Sequence, residues 1–597
     1  MASTRFDQVL GTPTLGTAAH LMEDVMKLVT VAEMKRLEWL ADQAGHSYAA
    51  MMELAGRAVA RVIEQRTEVA GQEILVLVGP GNNGGDGLVA ARYLGQAGAH
   101  VTCYLWVQRP DDDPNWKQVK ELGLPCLHAD QDQEYYALTQ MVQSAAVVVD
   151  ALLGTGVSRP IEGQLKQIME RVRATVGGRR AASTPEWISL LPSCRDLPSS
   201  AQGPLLVAVD VPSGLDCDTG VVDAAILQAD LTVTLAAVKR GQLRFPGAEA
   251  IGELVVADIG IDPGLSQDIP ADVATVQSIA AQLPPRPLNA HKGTFGRAIV
   301  VAGSVNYTGA PYLAAAAAAR VGVGLVTLAP PQPLHSILAT RLAEATFLLL
   351  PHDMGVLSPS AIRVLAPHLD GYRAMLLGPG LGREKETVEF VHQLLGIDAG
   401  GEHRRLGFVH EARPSSAPLA LPALVIDADG LNALAEAPNW WSQLPENCIL
   451  TPHPGEMARL TGTTAGDVDR VEAAMQAALK WKQVVVLKGA FTVVAAPDGR
   501  VTVIPFANPG LATAGTGDVL AGAVLGMLAQ GLKPFEAAVC GAYLHALAGE
   551  IAVRQMGIPL QGAAGLLAGD LLPALPQAIG RIRAGDLSSA RLWGCDA

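Results

Sequence analysis

The sequence predicts an α/β protein with two domains, and three observations support that fold class. The chain has 597 residues, more than a single hydrophobic core usually organises, so two units are expected. Short apolar runs that end in glycine or polar loops recur along it, as at 73–79 and 205–210, which is typical of buried parallel strands. These runs alternate with stretches of helical periodicity, the pattern of sheets covered by helices on both faces.

Composition excludes several classes of function. The net charge of −14 argues against nucleic acid as the main partner. No apolar segment is long enough to span a membrane, and the N-terminus lacks the pattern of a secretion signal. The seven cysteines form no C-x-x-C pair, so neither a disulfide framework nor a zinc site is indicated. We therefore expect a soluble, cytoplasmic protein.

The first ordered elements are expected near residue 26, after a patternless extension over 1–25. Thr30 and Glu33 have the spacing of a capping box and predict a helix over about 31–45. A second helix is predicted over about 47–65.

The strand at 73–79 leads into a glycine-rich loop and then a helix predicted over 88–98, which together form half of a Rossmann-like unit. The loop, 79–87, reads Gly-Pro-Gly-Asn-Asn-Gly-Gly-Asp-Gly. It offers a phosphate cradle together with the side-chain oxygens of Asn82, Asn83 and Asp86. The alternative is an ordinary tight loop.

Further strands deliver charged side chains to the same sheet edge. One ends on Asp150, another on Asp210, and a third, 231–237, leads to Lys239. A single aspartate at a strand end is often a helix cap, but ligands bind at the carboxyl ends of strands in open α/β sheets. The cluster therefore favours a site over a set of caps.

Composition also places the domain boundaries. A segment at about 176–202 is rich in Arg, Ser, Pro and Gly without periodicity, and we interpret it as a surface insertion. The proline-marked segment 269–288 is expected to link a domain over 26–268 to a second domain over 289–597. A similar insertion is expected at about 396–418.

The second half repeats the alternation of strands and helices and contains the most informative motif. Residues 508–518 read Asn-Pro-Gly-Leu-Ala-Thr-Ala-Gly-Thr-Gly-Asp and run into an apolar helix predicted over 519–528. Gly515 and Gly517 allow a tight turn whose amides, with the helix dipole, would bind an anion. Asp518 would repel a phosphate there, which suits a base that deprotonates an attacking hydroxyl. The alternative is a helix N-cap.

Eight motifs, in this order, resemble the family of bifunctional NAD(P)H-hydrate repair enzymes. They are Pro-Gly-Asn-Asn-Gly-Gly-Asp-Gly at 80–87, Asp-Ala-Leu-Leu-Gly-Thr-Gly at 150–156, Asp-Val-Pro-Ser-Gly at 210–214, Gly-Pro-Gly-Leu-Gly at 378–382, Asp-Ala-Asp-Gly-Leu-Asn at 427–432, Thr-Pro-His-Pro-Gly-Glu at 451–456, Lys-Gly at 488–489 and Ala-Gly-Thr-Gly-Asp at 514–518. The resemblance covers about 26–549, apart from the two insertions, and suggests that 1–25 is dispensable.

The resemblance implies a Rossmann-like three-layer domain followed by a ribokinase-like three-layer domain. The first would interconvert the R and S forms of hydrated NADH or NADPH (NADHX and NADPHX) at C6. The second would dehydrate the S form through a phosphorylated intermediate, with ADP preferred to ATP. Mg²⁺ is expected for charge neutralisation, although no motif specifies it, and we expect a homo-oligomer.

In the first domain, the resemblance and the acid–base chemistry together indicate which residues form the site. Asp210 and Lys239 are the expected acid–base groups, with Asp210 preferred for proton transfer. The hydrate is expected to contact Asn82, Asn83, Gly84, Gly85, Asp86, Gly154, Thr155, Gly156, Val157, Ser158, Arg159, Pro160 and Asp210. A potassium ion is implied at Asn83, Asp150 and Ser213, whose hard oxygen donors suit it. Asp150 has two candidate roles, as an ion ligand and as an acid–base group.

In the second domain, Asp518 is the expected base. The resemblance implies hydrate contacts at Ala310, Gly380, His453 and Asp518, although His453 alone could be an ordinary loop histidine. It implies nucleotide contacts at Lys488, Gly489, Ala490, Phe491, Thr492 and Gly517. Phe491 occupies a position where the family commonly has a polar residue.

Two other functions are consistent with parts of the chain. The Gly-Thr-Gly-Asp loop alone would equally suit a vitamin or sugar kinase, whose product keeps its phosphate. The N-terminal half could be a non-catalytic binding module, although it retains Asn83, Asp150 and Asp210.

Overall fold

The structure is a computed structural model, and it describes residues 26–156, 159–182, 203–398, 419–463, 469–557 and 563–585. The predicted extension over 1–25 and most of both predicted insertions lie outside these residues. Among the residues described, no helix is both long and apolar enough to cross a bilayer.

Among the described residues, the N-terminal half contains nine strands and seven α-helices. The strands are β1 (Met26–Val29), β2 (Glu73–Val78), β3 (His100–Leu105), β4 (Cys126–His128), β5 (Val147–Ala151), β6 (Leu205–Val209), β7 (Leu231–Leu235), β8 (Val238–Lys239) and β9 (Glu253–Ala257). The helices are α1 (Val31–Gln43), α2 (Tyr48–Glu64), α3 (Asn82–Gln96), α4 (Pro114–Glu121), α5 (Tyr136–Ser144), α6 (Gly163–Ala182) and α7 (Gly247–Ala250).

Seven of these strands form a parallel sheet in the order β4-β3-β2-β5-β6-β7-β9. Successive side chains of a strand point to opposite faces, and both faces of β2 are covered: Ile74 and Val76 enter one core, and Leu75 and Leu77 another. From β2 the chain adds strands toward one edge of the sheet, and from β5 it adds them toward the other edge. The boundary between β2 and β5 is therefore the topological switch point, where doubly wound sheets bind ligands. The predicted Rossmann-like three-layer unit is confirmed.

In the part of the C-terminal half that the structure describes, there are twelve further strands and eleven further α-helices. The strands are β10 (Ala271–Val273), β11 (Arg297–Val301), β12 (Leu325–Leu328), β13 (Thr346–Phe347), β14 (His352–Asp353), β15 (Val356–Leu357), β16 (Ala374–Leu377), β17 (Ala423–Ile426), β18 (Ile449–Leu450), β19 (Val484–Leu487), β20 (Val493–Ala495) and β21 (Val501–Val503). The helices are α8 (Val276–Gln282), α9 (Gly309–Arg320), α10 (His335–Ala339), α11 (Ile362–Leu365), α12 (Lys385–Leu395), α13 (Asp429–Ala435), α14 (Pro454–Thr461), α15 (Arg470–Trp481), α16 (Thr516–Ala529), α17 (Pro534–Gln555) and α18 (Ala568–Ala584).

The second sheet has twelve strands in the order β13-β12-β11-β16-β17-β18-β19-β20-β21-β10-β1-β8. Its parallel part is again covered on both faces, since Val300 lies in one core with α9, α16 and α17, whereas Ile299 and Val301 lie in the other with α12 and α13. The predicted three-layer α/β architecture of the second half is therefore confirmed.

The large sheet also joins the two halves of the chain. β1 pairs with β10 on one side and with β8 on the other, and β10 pairs with β21. The predicted linker, 269–288, contains β10 and α8, and Val276 and Ile279 of α8 lie in a C-terminal core. Strands β1 and β8 of the N-terminal half are thus part of the same sheet as the strands of the C-terminal half.

Several boundaries differ from the sequence prediction. Helix α3 begins at Asn82 rather than at 88, because the glycines that predicted a loop form the first turn of the helix. Helix α6 continues to Ala182, so the predicted insertion begins later than 176. Helix α16 begins at Thr516, which places Asp518 in its first turn rather than before it.

Candidate active sites

The N-terminal site lies at the carboxyl ends of β2, β5 and β6, where three predicted residues form one hydrogen-bonded group. Ser213 donates its hydroxyl to Asp150 Oδ1 at 2.6 Å and its amide to Oδ2 at 2.9 Å. The Leu153 amide donates to Ser213 Oγ at 2.9 Å, and Asn83 Nδ2 donates to the Leu153 carbonyl at 2.9 Å. The structure therefore brings Asn83, Asp150 and Ser213 together around Leu153.

Asp150 is a completely buried carboxyl group. Burial raises its pKa, although the hydrogen bonds from Ser213 oppose that rise. Its described partners are hydroxyl and amide donors, which carry no compensating charge. Oxygen atoms around a buried carboxylate group are suitable ligands for a hard monovalent cation.

Asp210 and Lys239 form a buried ion pair in the same region. Asp210 has a positive φ of 64°, an uncommon conformation for a residue other than glycine. Its Oδ1 accepts hydrogen bonds from the Lys239 ammonium, from Thr234 Oγ1 at 3.2 Å and from the Leu235 amide at 3.0 Å. The Lys239 side chain is fully buried and also donates to Thr234 Oγ1 and the Leu235 carbonyl. All three ammonium donors are thus used within the protein.

Two further carboxyl groups act electrostatically on this pair. Asp86, in the first turn of α3, is buried, and burial and the Asp210 charge raise its pKa well above the ordinary range. Burial, together with the charge of Asp210, also raises the pKa of Glu38 in α1. Sequence reasoning missed Glu38, because its position in an amphipathic helix resembles an ordinary solvated face.

Gly154, in the segment after β5, lies beside this group. A Cβ atom at Gly154 would lie 3.3 Å from Asn83 Cβ, so glycine permits the close approach of the loop to α3. Thr155 is half-buried, whereas Gly156, Arg159 and Pro160 are exposed. The predicted residues Val157 and Ser158 lie outside the described residues.

Arg109 supports the glycine loop and was also missed. Its Nη1 donates to the carbonyls of Gly79 and Gly81 at 2.9 and 3.0 Å, and its Nε donates to Asp113 at 2.8 Å. An added Cβ at Gly84 would lie 3.0 Å from Arg109 Nη1 and 2.0 Å from the Gly79 carbonyl oxygen. Gly84 is therefore required for packing at this site, whatever it contributes to ligand binding.

The C-terminal site is centred on Asp518 in the first turn of α16. The preceding Gly515, the N-cap residue of α16, has φ of +91°, so the backbone turns there as predicted. Burial and the charge of Asp427 together raise the pKa of Asp518 to about 7, against the opposing effect of the Lys488 charge. A carboxyl group with that pKa can exchange protons near neutral pH.

Lys488 links the carboxyl ends of adjacent strands beside Asp518. Its Nζ lies 2.7 Å from Asp427 Oδ1 and 3.6 Å from Glu456 Oε2, and Thr451 donates to the same Asp427 oxygen at 2.7 Å. Burial alone would lower the pKa of Lys488, but these carboxylates outweigh burial and raise it. A Cβ at Gly517 would lie 3.6 Å from the ammonium, so the cation sits against the start of α16.

A cavity of about 710 Å³ opens in front of Asp518. Its lining includes the predicted residues Ala310, Gly380 and Asp518, together with Asn306, Tyr307, Gly382, Arg383, Glu384 and Asp429. Asp429 accepts from the Gly382 amide at 2.9 Å and lies 3.6 Å from Arg383 Nε. The signal for these missed residues was present, since they follow glycine loops at strand ends.

His453 is predicted to contact the hydrate, but it does not line this cavity. Its Nδ1 accepts from the Gly455 and Glu456 amides, and its own amide donates to Glu456, so it caps α14. Burial and the Lys488 charge lower its pKa. The described role of His453 is the ordinary loop role that sequence reasoning left open, although its half-exposed ring still faces solvent.

The predicted nucleotide segment, 488–492, forms a compact turn. Thr492 Oγ1 donates to the Gly489 carbonyl at 2.9 Å. Gly489 has φ of +145° and Phe491 has φ of +52°. Phe491 is buried and packs against Phe245 of the N-terminal half, with ring centroids 5.8 Å apart. The aromatic residue at 491, where a polar residue is common in the family, therefore forms a contact between the two halves of the chain.

Two protein-family models match the chain over these sites. The model described as NAD(P)H-hydrate dehydratase matches residues 298–568. The model described as YjeF-related protein N-terminus matches residues 48–241.

The chain is also similar to whole relatives. It is 39% identical to the bifunctional NAD(P)H-hydrate repair enzyme Nnr of Moorella thermoacetica, covering 92% of this chain and 96% of that protein. It is 36% identical to the protein of the same name from Thermofilum pendens, covering 94% and 97%. A crystal structure of ADP/ATP-dependent NAD(P)H-hydrate dehydratase from Bacillus subtilis, co-crystallised with ATP and Mg²⁺, is 31% identical over 52% of this chain and 98% of that chain, with a TM-score of 0.41.

Proposed function

The chain belongs to the family of bifunctional NAD(P)H-hydrate repair enzymes, and we propose how its two sites divide that repair. The N-terminal site interconverts the R and S hydrates at C6, and the C-terminal site dehydrates the S form with a nucleotide. The observation that carries this assignment is Asp518, a carboxyl group with a pKa of about 7 on the wall of a large cavity.

Dehydration begins with proton transfer to Asp518. Hydroxide is a poor leaving group, so the C6 oxygen, deprotonated by Asp518, attacks the terminal phosphoryl group and displaces AMP from ADP. The lone pair of the ring nitrogen then expels phosphate from C6, and loss of a proton from C5 restores the C5–C6 double bond. Backbone amides at the start of α16 and the Lys488 ammonium are placed to stabilise the transferred phosphoryl group.

Asp427 and Glu456 hold Lys488 in place for this step. Mg²⁺ would be held chiefly by the nucleotide phosphates, because Mg²⁺ commonly uses one or two carboxylates plus phosphate oxygens. In the described part of the chain, no cluster of three or more His, Cys, Asp or Glu side chains could hold a metal by itself. Binding of Mg²⁺ through the nucleotide phosphates needs no such cluster. We favour ADP over ATP as the phosphoryl donor.

In the N-terminal site, we propose that Asp210 moves the proton of the C6 hydroxyl to the ring nitrogen as the bond between C6 and that nitrogen opens, and returns it to the oxygen as the bond re-forms on the other face. Lys239 positions the Asp210 carboxylate for this transfer. Lys239 is fully buried with its three donors used, so it holds the Asp210 carboxylate instead of exchanging a proton with substrate. Burial, together with the charge of Asp210, raises the pKa of Asp86, so Asp86 is a second carboxyl group of this site.

We propose that K⁺ binds at Asn83, Asp150 and Ser213 and compensates the charge of Asp150. If so, adding KCl in place of LiCl at equal ionic strength should raise the melting temperature of the wild type. Asp150→Asn should abolish that difference, because the buried charge is gone. Differential scanning fluorimetry measures both, and a K⁺ effect of equal size in the variant would contradict the site.

The function is tested by following the absorbance of NADH regenerated from separated R and S hydrates. We expect the S form to be restored in the presence of ADP, with ATP tested in parallel, and the R form to be restored after a lag for epimerisation. A stable phosphorylated product without NADH would favour the small-molecule kinase. The expected homo-oligomer and cytoplasmic location stay predictions, for light scattering and cell fractionation to test.

A further inference from the structure

Arg470, the first residue of α15, lies directly against the turn at 488–492. One terminal nitrogen of its guanidinium donates to the Ala490 carbonyl, and the other donates to the carbonyls of Leu487 and Lys488, both at 2.9 Å. We propose that Arg470 is a positioning residue that fixes this turn for nucleotide binding. The inference rests on the proposed function of the C-terminal site and gives Arg470 a role that acts through the backbone of the turn.

The turn has an unusual backbone that needs such support. Gly489 and Phe491 both have positive φ values, which cost conformational energy at a residue with a side chain. Two carbonyl groups of the turn, those of Lys488 and Ala490, converge with the Leu487 carbonyl at the end of β19 on a single guanidinium. Without that cation, the three carbonyls would lose their charge-assisted hydrogen bonds in a partly buried position.

The other face of the turn is fixed by backbone contacts. The Lys488 amide donates to the Pro452 carbonyl at 2.9 Å, and the Phe491 amide donates to the Phe506 carbonyl at 2.8 Å. Since the carbonyl of one residue and the amide of the next point in opposite directions, Arg470 and these acceptors hold the same peptide planes from two sides. The Lys488 side chain leaves the turn between them and reaches Asp427.

The fit is specific to arginine and to glycine. A Cβ at Gly489 would lie 2.8 Å from both terminal nitrogens of Arg470, so only glycine lets the guanidinium approach this closely. Burial lowers the pKa of Arg470, yet a guanidinium stays charged in proteins. Its rigid fork reaches several carbonyls at once, whereas a lysine ammonium is a point charge on a flexible stem.

The start of α15 is itself anchored. Asp469 caps the helix by accepting from the Val471 and Glu472 amides at 2.9 and 3.1 Å. Asp469 Oδ2 also lies 3.6 Å from Nη1 of Arg244 in the N-terminal half. The cap therefore fixes the backbone from which Arg470 reaches the turn.

The test compares Arg470→Ala and Arg470→Lys with the wild type, and uses Arg363→Lys on the exposed side of α11 as the matched control. Calorimetric titration with ADP and steady-state dehydration of the S hydrate are measured on the full chain. For Arg470→Ala we expect the Kd and the KM for ADP to rise about 10- to 100-fold, the effect of losing hydrogen bonds to a charged group. The KM for hydrate and the rate of epimerisation should stay within about twofold of wild type.

Two further readouts separate positioning from a general loss of fold. Free guanidinium ion, added at concentrations far below those that denature proteins, should partly restore ADP affinity to Arg470→Ala and leave the wild type unchanged. Arg470→Lys should keep the fold and still show a raised Kd for ADP, whereas Arg363→Lys should match the wild type.

The outcomes distinguish this inference from the proposed function. An ADP Kd within twofold of wild type in Arg470→Ala, or equal losses of ADP affinity, hydrate affinity and epimerisation, would overturn the inference. If the wild type binds ADP but fails to dehydrate the S hydrate with ADP or ATP, the proposed function fails, and the calorimetric comparison still decides the role of Arg470.

Discussion

Replacing Asp518 by asparagine is expected to lower the rate of nucleotide-dependent dehydration by about 10²- to 10⁴-fold, the usual contribution of general acid–base catalysis. Asparagine keeps the size of the side chain but cannot accept the proton of the C6 hydroxyl. NADH absorbance with the S hydrate and saturating ADP measures the loss. Because ADP contacts the turn at 488–492 and the start of α16 in the proposed mechanism, and asparagine does not repel its phosphates, the Kd for ADP should stay the same or fall.

The same variant contains its own control. Epimerisation of the R hydrate occurs in the other half of the chain, so Asp518→Asn should leave it at the wild-type rate. An unchanged dehydration rate in Asp518→Asn would remove the central assignment of the C-terminal site, because no other described acid combines this position with a pKa of about 7.

The pH dependence follows from the same pKa. Asp518 must be ionised to act as a base, so the dehydration rate should rise as pH increases through about 7 and level off above it. The charge of Asp429 raises the pKa of Asp518, so Asp429→Asn should move the midpoint of this profile to lower pH. A midpoint that stays in place in Asp429→Asn would assign the titration to another group.

The raised pKa also predicts how stability depends on pH. The folded-state pKa of about 7 lies above the value of about 3.9 expected in the unfolded chain. Between these values the folded protein binds the proton and the unfolded chain does not, so stability falls as pH rises through this window and levels off above about 7. Asp518→Asn lacks this contribution and should gain stability relative to wild type from pH 4 to 7, as measured by urea unfolding.

Most of the fold could be predicted because apolar runs and glycine loops are local signals. The capping box of Thr30 and Glu33 is formed as expected, and strands β2, β5, β6 and β7 lie where the apolar runs predicted them. Glycine was misleading at 84–87, since these residues lie in α3. There the close approach of the Gly79 carbonyl and of Met52 excludes side chains, and tertiary packing overrides the low helix propensity of glycine.

The pairing of β1 with β8 and β10 could not be predicted. Strands of two to four residues carry too little periodicity to specify a partner, and their register is set by elements more than 200 residues apart. The same is true of Arg109 and Arg470, which act through backbone carbonyls. A carbonyl acceptor leaves no mark in the sequence, so an arginine that binds one looks like any other surface cation.

The N-terminal site yields the second large effect, since Asp210→Asn is expected to lower the rate of R-to-S conversion by about 10²- to 10⁴-fold. Separated R and S hydrates, assayed by the lag before NADH appears, measure this rate. Dehydration of the S form should continue at the wild-type rate. A wild-type rate of epimerisation would instead favour the non-catalytic binding module.

That substitution also breaks a buried ion pair, so its effect on stability must be separated from its effect on catalysis. Removing only Asp210 leaves the fully buried Lys239 ammonium without its carboxylate, which commonly costs about 3–5 kcal/mol. The double variant Asp210→Asn/Lys239→Met removes both charges, and replacing a buried pair by neutral groups is often close to neutral. We expect the double variant to recover most of the stability, measured by urea unfolding, but none of the epimerisation.

The single variant Lys239→Met completes the comparison. It leaves Asp210 in place without its cation, so it should be destabilised as Asp210→Asn is, and any residual epimerisation must come from the mispositioned carboxylate. If Lys239 only positions Asp210, then Lys239→Met should retain more activity than Asp210→Asn at equal stability. Equal and complete losses in both would show that the ammonium itself takes part in proton transfer. The buried geometry of Lys239, whose donors are used by Asp210, Thr234 and Leu235, favours the first result.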